Sequence, residues 1–231
     1  SYNLTLYSKL LKDNKGIHTG EITIERLVPP IPPFARSALA LAPFPLPKVP
    51  VKISQYWTFK TEAGDAPTLP VVVFQTFAFD VYDEFIRLLD KVSPIQEEQL
   101  LQDKDTIIRE RWVEEIILIL RNHFMENPFL GDKMIEEIQQ SSSPSFDLKK
   151  KQILISLIKI YQGPKSRYLN FYGPPGTIET IPYYRLLQHH EKSPAAQKQF
   201  DLNGKAVLVG LSESLRLEHK DGFYTVYSQP T

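Results

Sequence analysis

Between Pro29 and Pro50 the chain carries eight prolines, and no other feature limits its fold so strongly. Each proline fixes φ and withholds a backbone donor, so this stretch can be neither a central strand nor a long helix. Phe34 to Leu41, between proline pairs, is built of residues that permit about two helical turns. The interleaved Phe, Leu and Val set the block apart from flexible proline-rich linkers, which are poor in apolar residues. The block is expected to be pinned across the body of the protein.

On its N-terminal side, Tyr2 to Leu11 is a short amphipathic stretch, and Glu21 to Glu25 alternates with strand period after a turn-like Asp13 to Gly16. On its C-terminal side, Val51 to Phe59 is β-branched, aromatic and alternating, which predicts a strand ending in a turn at Glu62 to Asp65. Thr68 is a candidate N-cap for a helix whose apolar residues, Leu69 through Leu89, recur at helical spacing until Pro94. Gln96 to Phe124 predicts a second, longer helix, apolar through Ile107, Trp112, Ile116, Ile117 and Leu120, and ended by Asn127-Pro128. A short helix over Asp132 to Gln140 and a solvent-exposed loop at Ser141 to Ser145 follow. Lys151 to Tyr161 satisfies both the strand and the helix template, and its length favours helix.

Tyr168 to Tyr172 predicts a strand, Tyr183 to His190 a short helix, and the unbroken apolar run in Lys205 to Gly210 a buried strand. This alternation predicts an α/β fold: a mostly parallel sheet flanked by helices, with an extra helical insertion and the proline-rich segment. No fixed-period repeat is visible, which argues against a solenoid or propeller. The chain, residues 1–231, is expected to form a single domain.

Composition narrows the function more than the fold. Lysine plus arginine and aspartate plus glutamate number 27 each, so no excess of positive charge points to nucleic acid. The absence of cysteine removes disulfides, thiolate metal sites and a cysteine nucleophile, and fits an oxidising compartment as well as the cytosol. No apolar run approaches the about 20 residues needed to cross a bilayer.

The segment Gly173-Pro-Pro-Gly-Thr-Ile-Glu-Thr180 opens like a phosphate-binding loop, but departs from it where the chemistry sits. Ile178 and Glu179 occupy the positions of the glycine that admits the phosphates and the lysine that neutralises them, and a carboxylate there repels a nucleotide. Pro182 limits any helix launched from Thr177. A tight structural turn is the expectation. His189 and His190, adjacent in sequence, point about 100° apart on a helix and do not form a metal pair. His123 reads as a favourable partner of a helix C-terminus. Glu97-Glu98, Glu114-Glu115 and Glu136-Glu137 lie beside basic residues in helical segments and read as solvated faces. Ser212 lacks the second glycine of a nucleophile elbow. No catalytic, cofactor-binding or metal-binding residue is therefore assigned, and no enzyme activity is expected of the chain. The aromatic residues Tyr56, Trp57, Phe59, Tyr168, Phe171 and Tyr172 fit either a core or an apolar pocket.

Two stretches carry a family likeness. Tyr168-Leu-Asn-Phe-Tyr-Gly-Pro-Pro-Gly176, continued by Ile181-Pro-Tyr-Tyr-Arg185, presents an asparagine-aromatic-x-glycine-proline strand end and an aromatic helix start. Phe200-Asp-Leu-Asn-Gly-Lys-Ala-Val-Leu-Val-Gly210 is similar to a D-L-x-G-K-x-V-x-I-G strand, with Val209 in the place of the isoleucine. In order and spacing they resemble the second type of the CHASE domains, the cyclase- and histidine-kinase-associated extracellular sensors of bacteria. Glu25 to Phe34 and Tyr56 to Lys60 are similar to the variant found ahead of class III nucleotide cyclases. The likeness covers most of the chain, but the family's opening strand-helix-strand block and closing aromatic-glycine-valine stretch are missing, so the domain is expected to be incomplete at both ends.

The resemblance implies an extracytoplasmic, periplasmic sensor domain of a membrane receptor, an adenylate or guanylate cyclase first among the parents. It also implies membrane anchoring through segments outside this chain, a homodimeric parent, and a small-molecule or protein stimulus. It supplies no cofactor and no ligand contacts. The site expected from the residues is the loop carrying Asn170, Tyr172 and Arg185, since α/β sheets place binding groups beyond strand C-terminal ends. The rival expectations are a periplasmic solute-binding protein and a degenerate nucleotide-binding enzyme at the Gly173 loop.

Overall fold

The computed structural model describes residues 3–12, 18–46, 52–94, 96–140, 147–174, 176–182, 184–185, 207–209 and 226–227, with the backbone alone for 3–12, 18–28 and 62. The chain divides into two compact units, one of Ser1–Pro47 with Gln55–Tyr168, the other of Lys48–Ser54 with Leu169–Thr231.

The first unit is mainly helical. Strands β1 (Asn3–Lys12) and β2 (His18–Val28) pair as an antiparallel hairpin, and a one-and-a-half-turn helix α1 (Pro32–Ser37) opens the proline-rich block. Helix α1 begins inside the prolines, which are tolerated in a first turn because its N–H groups lack helical partners anyway. The block is tied down as the sequence suggests: Ala42 is buried in the core, the Pro43 carbonyl accepts from the Leu69 N–H at 2.8 Å, and the Arg111 guanidinium donates to the Arg36 carbonyl.

Short strands β3 (Gln55–Trp57), β4 (Phe59–Lys60) and β5 (Ala66–Pro67) follow. The turn between β4 and β5 carries left-handed backbone at Gly64 and Asp65, with φ of 75° and 59°. Thr68 does stand at the N-cap of helix α2 (Leu69–Phe77), yet its hydroxyl turns to the carbonyls of Trp57 (2.5 Å) and Thr58 (3.0 Å). The first turn of α2 needs no side-chain cap: Leu69 donates to Pro43, Pro70 has no N–H, and Val71 donates to the Thr68 carbonyl.

The two long helices expected from periodicity are each broken. A 3-10 turn at Ala78–Val81 separates α2 from α3 (Tyr82–Val92). Its apolar residues continue the same periodic stripe, which is why the sequence reads straight through it. The second expected helix, over Gln96 to Phe124, is a 3-10 turn at Glu98–Leu101, then α4 (Lys104–Glu110) and α5 (Val113–Glu126). Between the last two, Arg111 is left-handed (φ 62°), and Trp112 N–H bonds to the Ile107 carbonyl while Arg111 N–H bonds to that of Ile108. This is a Schellman ending with arginine in the slot that glycine usually fills, so no punctuating residue announces it. Helix α6 (Leu130–Gln140) agrees with the short helix expected there, and α7 (Leu148–Gln162), capped by Asp147, resolves the ambiguous apolar run as helix.

Helices α2, α3, α5, α6 and α7 pack around one core. At its centre Phe59, Phe85, Phe124 and Tyr161 form a ring cluster, with centroids 5.6 Å apart for Phe124 and Tyr161, 6.2 Å for Phe85 and Tyr161, and 6.3 Å for Phe59 and Tyr161. Such pairs add roughly 0.5–1.5 kcal/mol each beyond the area they bury.

The expected α/β fold with a mostly parallel sheet is overturned. Among the described residues every paired strand is antiparallel, in three two-stranded ribbons, and helices dominate. Of the strand expected at Tyr168 to Tyr172 only Tyr168 is paired, as the end of β6 (Ser166–Tyr168), which runs antiparallel to β3. Val207, Leu208 and Val209, read as a buried strand, are unpaired and 53%, 85% and 83% exposed. Short apolar runs fit more than one element, and alternation inferred from them does not fix strand direction. Of the helix expected over Tyr183 to His190, Tyr184 and Arg185 are helical and the remaining residues lie outside those described, as do Ser141 to Ser145 and Ser212.

Candidate functional site

The segment from Asn170 to Thr180 belongs to the second unit. Pro174-Pro-Gly-Thr177 has proline second and glycine third, the preference of a type II turn. Its closing bond is present, from the Thr177 N–H to the Pro174 carbonyl at 3.2 Å, and Gly176 has the positive φ (90°) that the third position requires. The Thr177 hydroxyl also donates to the Pro174 carbonyl, at 2.8 Å. Gly173 has φ 154°, and a Cβ there would collide with the Thr177 side chain. The loop is thus a tight turn, as expected, and the described residues 176–182 that follow contain no helix.

The turn forms one wall of an open concavity of about 480 Å³. Phe171, Tyr172, Ile178 and Tyr227 supply its apolar surface, and Asn170, Thr177 and Thr180 its side-chain polar groups. Phe171 and Tyr227 meet edge to face, with ring centroids 6.3 Å apart. Tyr172 is 84% exposed, and the exposed Asn170 makes no side-chain hydrogen bond among the described residues. Of the three residues expected to form a site, the structure brings together Asn170 and Tyr172. Arg185 is exposed but does not line the concavity; its backbone N–H closes a turn on the Pro182 carbonyl at 3.0 Å.

The other aromatic residues from the sequence divide between roles. Phe59 is core, the ring of Trp57 lies 3.9 Å from the buried Lys60 ammonium, and Tyr168 is exposed. His123, read as the partner of a helix C-terminus, does lie in the last turn of α5, and its Nε2 also sits 3.0 Å from the Ser93 hydroxyl. His189 and His190 lie outside the described residues.

Sequence reasoning missed a polar cluster inside the first unit. Arg121 on α5 is buried, donates to the Tyr161 carbonyl, lies 4.5 Å over the Phe59 ring, and places Nε 3.7 Å from the Asp65 carboxylate. Tyr161, fully buried, donates its hydroxyl to Gln75 Oε1 at 2.7 Å, while Gln75 Nε2 has no partner among the described residues. Burial pushes the Tyr161 phenol well above the usual tyrosine range and holds the Arg121 guanidinium below its ordinary value, with Asp65 opposing the latter shift. The signal was in the spacing: Arg121 falls four residues after Ile117 and three before Phe124, on the apolar stripe of α5. These groups join the β4–β5 turn to α2, α5 and α7. With its phenol and amide sealed from solvent, the cluster is a structural tie.

Among the described residues no cluster of His, Cys, Asp or Glu is placed to hold a metal ion, and no helix is long and apolar enough to cross a membrane. Compared with known proteins, the chain matches no family model, no curated sequence and no solved structure.

Proposed function

We propose that the chain is an extracytoplasmic ligand-binding sensor module of a bacterial membrane receptor, with a nucleotide cyclase as the foremost candidate for the output domain. The observation that carries this reading is the exposure of Asn170 and Tyr172, both from the segment resembling the CHASE sensors of the second type, on one open concavity. Asn170 makes no side-chain hydrogen bond there among the described residues. Side chains that serve only to hold a turn are expected to bond back to it, as Thr177 does. In this proposal the module has no chemistry of its own. A stimulus shifts a two-state, homodimeric receptor by binding one state more tightly than the other.

The test uses the native full-length protein in its host. Protease added to spheroplasts should cleave within this chain while intact cells protect it, and Tyr172→Ala should abolish the stimulus-dependent part of the output at unchanged protein level. A cytosolic, protease-protected location would overturn the proposal.

A further inference from the structure

Resting on the reading that this concavity is the ligand site, we infer that its ligand is an uncharged carbohydrate unit, a neutral mono- or disaccharide. Three observations point to that class. First, among the described residues no Lys, Arg, His, Asp or Glu lines the concavity. An ionic ligand would gain no counter-charge from these residues, whereas a neutral polar one needs none. Second, the aromatic surface is open: Tyr172 stands 84% exposed, and the Phe171 and Tyr227 rings lie at 84° to each other. Rings set edge to face leave no parallel slot for a flat aromatic ligand, but an exposed tyrosine face can cover the apolar C–H face of a sugar ring.

Third, the polar groups suit hydroxyl partners. The Asn170 amide offers donors and an acceptor in one plane, with no partner within the described residues. The Thr177 hydroxyl already donates to Pro174, so it is left to accept. A pyranose ring presents hydroxyls that donate and accept around its rim and C–H groups on its faces, which matches this mixed wall. The volume of about 480 Å³ lies within the range of small-molecule sites and admits one or two sugar rings.

The experiment is a titration of the purified full chain with glucose, maltose and cellobiose, beside adenosine and magnesium ATP, followed by tyrosine fluorescence and by saturation-transfer NMR. Saturable binding of at least one of the three sugars, with Kd of about 0.01–1 mM, is expected. Tyr172→Ala and Asn170→Ala should each weaken it at least about tenfold with the circular dichroism spectrum unchanged, whereas Arg185→Ala should leave it as it is. No saturable sugar binding up to about 10 mM, binding of adenosine or ATP in place of sugars, or sugar binding that neither variant weakens would each overturn the inference. The spheroplast experiment decides the sensor reading separately: a cytosolic protein whose concavity still binds sugar would sink the receptor role and leave the ligand class standing.

Discussion

Replacing Tyr161 by phenylalanine removes one oxygen from the centre of the helical unit and nothing else. The lost group donates to Gln75 Oε1 at 2.7 Å, and both residues are fully buried. Among the described residues Gln75 Nε2 already lacks a partner, so Tyr161→Phe leaves a buried amide with neither end bonded to them. Stranding a buried polar group costs about 1–3 kcal/mol, whereas an apolar replacement of both partners is nearly neutral. Gln75→Met in the Tyr161→Phe background should therefore recover most of the loss. The assay is urea unfolding followed by tryptophan fluorescence, because Trp57 and Trp112 both belong to the unit that holds the pair. With a urea dependence of about 2 kcal/mol per molar, a 2 kcal/mol loss lowers the midpoint by about 1 M. A midpoint within about 0.2 M of the parent for Tyr161→Phe, or a double variant whose loss equals the sum of the single ones, would refute the argument.

Arg121→Met should cost about 2–4 kcal/mol in the same assay and exceed Asp65→Asn, because arginine is the buried partner and its loss also strips the bond from the Tyr161 carbonyl; equal effects would contradict this. Burial raises the phenol pKa of Tyr161, and that of Tyr82 with a further contribution from Asp83, so the folded state holds these protons more tightly than the unfolded chain. The stability they contribute is complete below the usual tyrosine value near pH 10 and is lost as pH rises beyond it. Urea midpoints measured between about pH 8 and 11 should fall at the alkaline end, less steeply in Tyr161→Phe, and a flat profile would contradict the assignment. Gly173→Ala should break the turn that closes from Thr177 to Pro174, through strain at φ 154° and collision with Thr177, and hydrogen exchange at the Thr177 amide should quicken at least about tenfold.

What could be read along the chain was whatever one residue's chemistry enforces by itself. Prolines ruled out a central strand or a long helix between Pro29 and Pro50, glycines marked the turns at Gly64 and Gly176, and Asn127-Pro128 ended α5. The helical stripes were visible as stripes, but their breaks were not. Arg111 adopts a left-handed conformation without being glycine, and the 3-10 turn at Ala78–Val81 keeps the apolar period of its neighbours. At the candidate site the sequence supplied Asn170 and Tyr172 and the tight turn between Gly173 and Thr177. It gave no sign that Tyr227, fifty-five residues beyond Tyr172, lines the same concavity, or that Arg185 does not.

Fold class went wrong for a related reason. Apolar runs report that a segment is wanted in a core, and only its partners decide whether it pairs as a strand, packs as a helix or stays exposed. Lys151 to Tyr161 found helices α5 and α6 to pack against, while Val207 to Val209 found no paired strand. Backbone restrictions are local and act through the residue that bears them, so sequence determined where the chain turns and where it cannot be regular. Burial of Arg121 among aromatic rings, antiparallel pairing of Gln55–Trp57 with Ser166–Tyr168, and the meeting of Phe171 with Tyr227 join residues far apart in the chain, and only the tertiary structure could decide them.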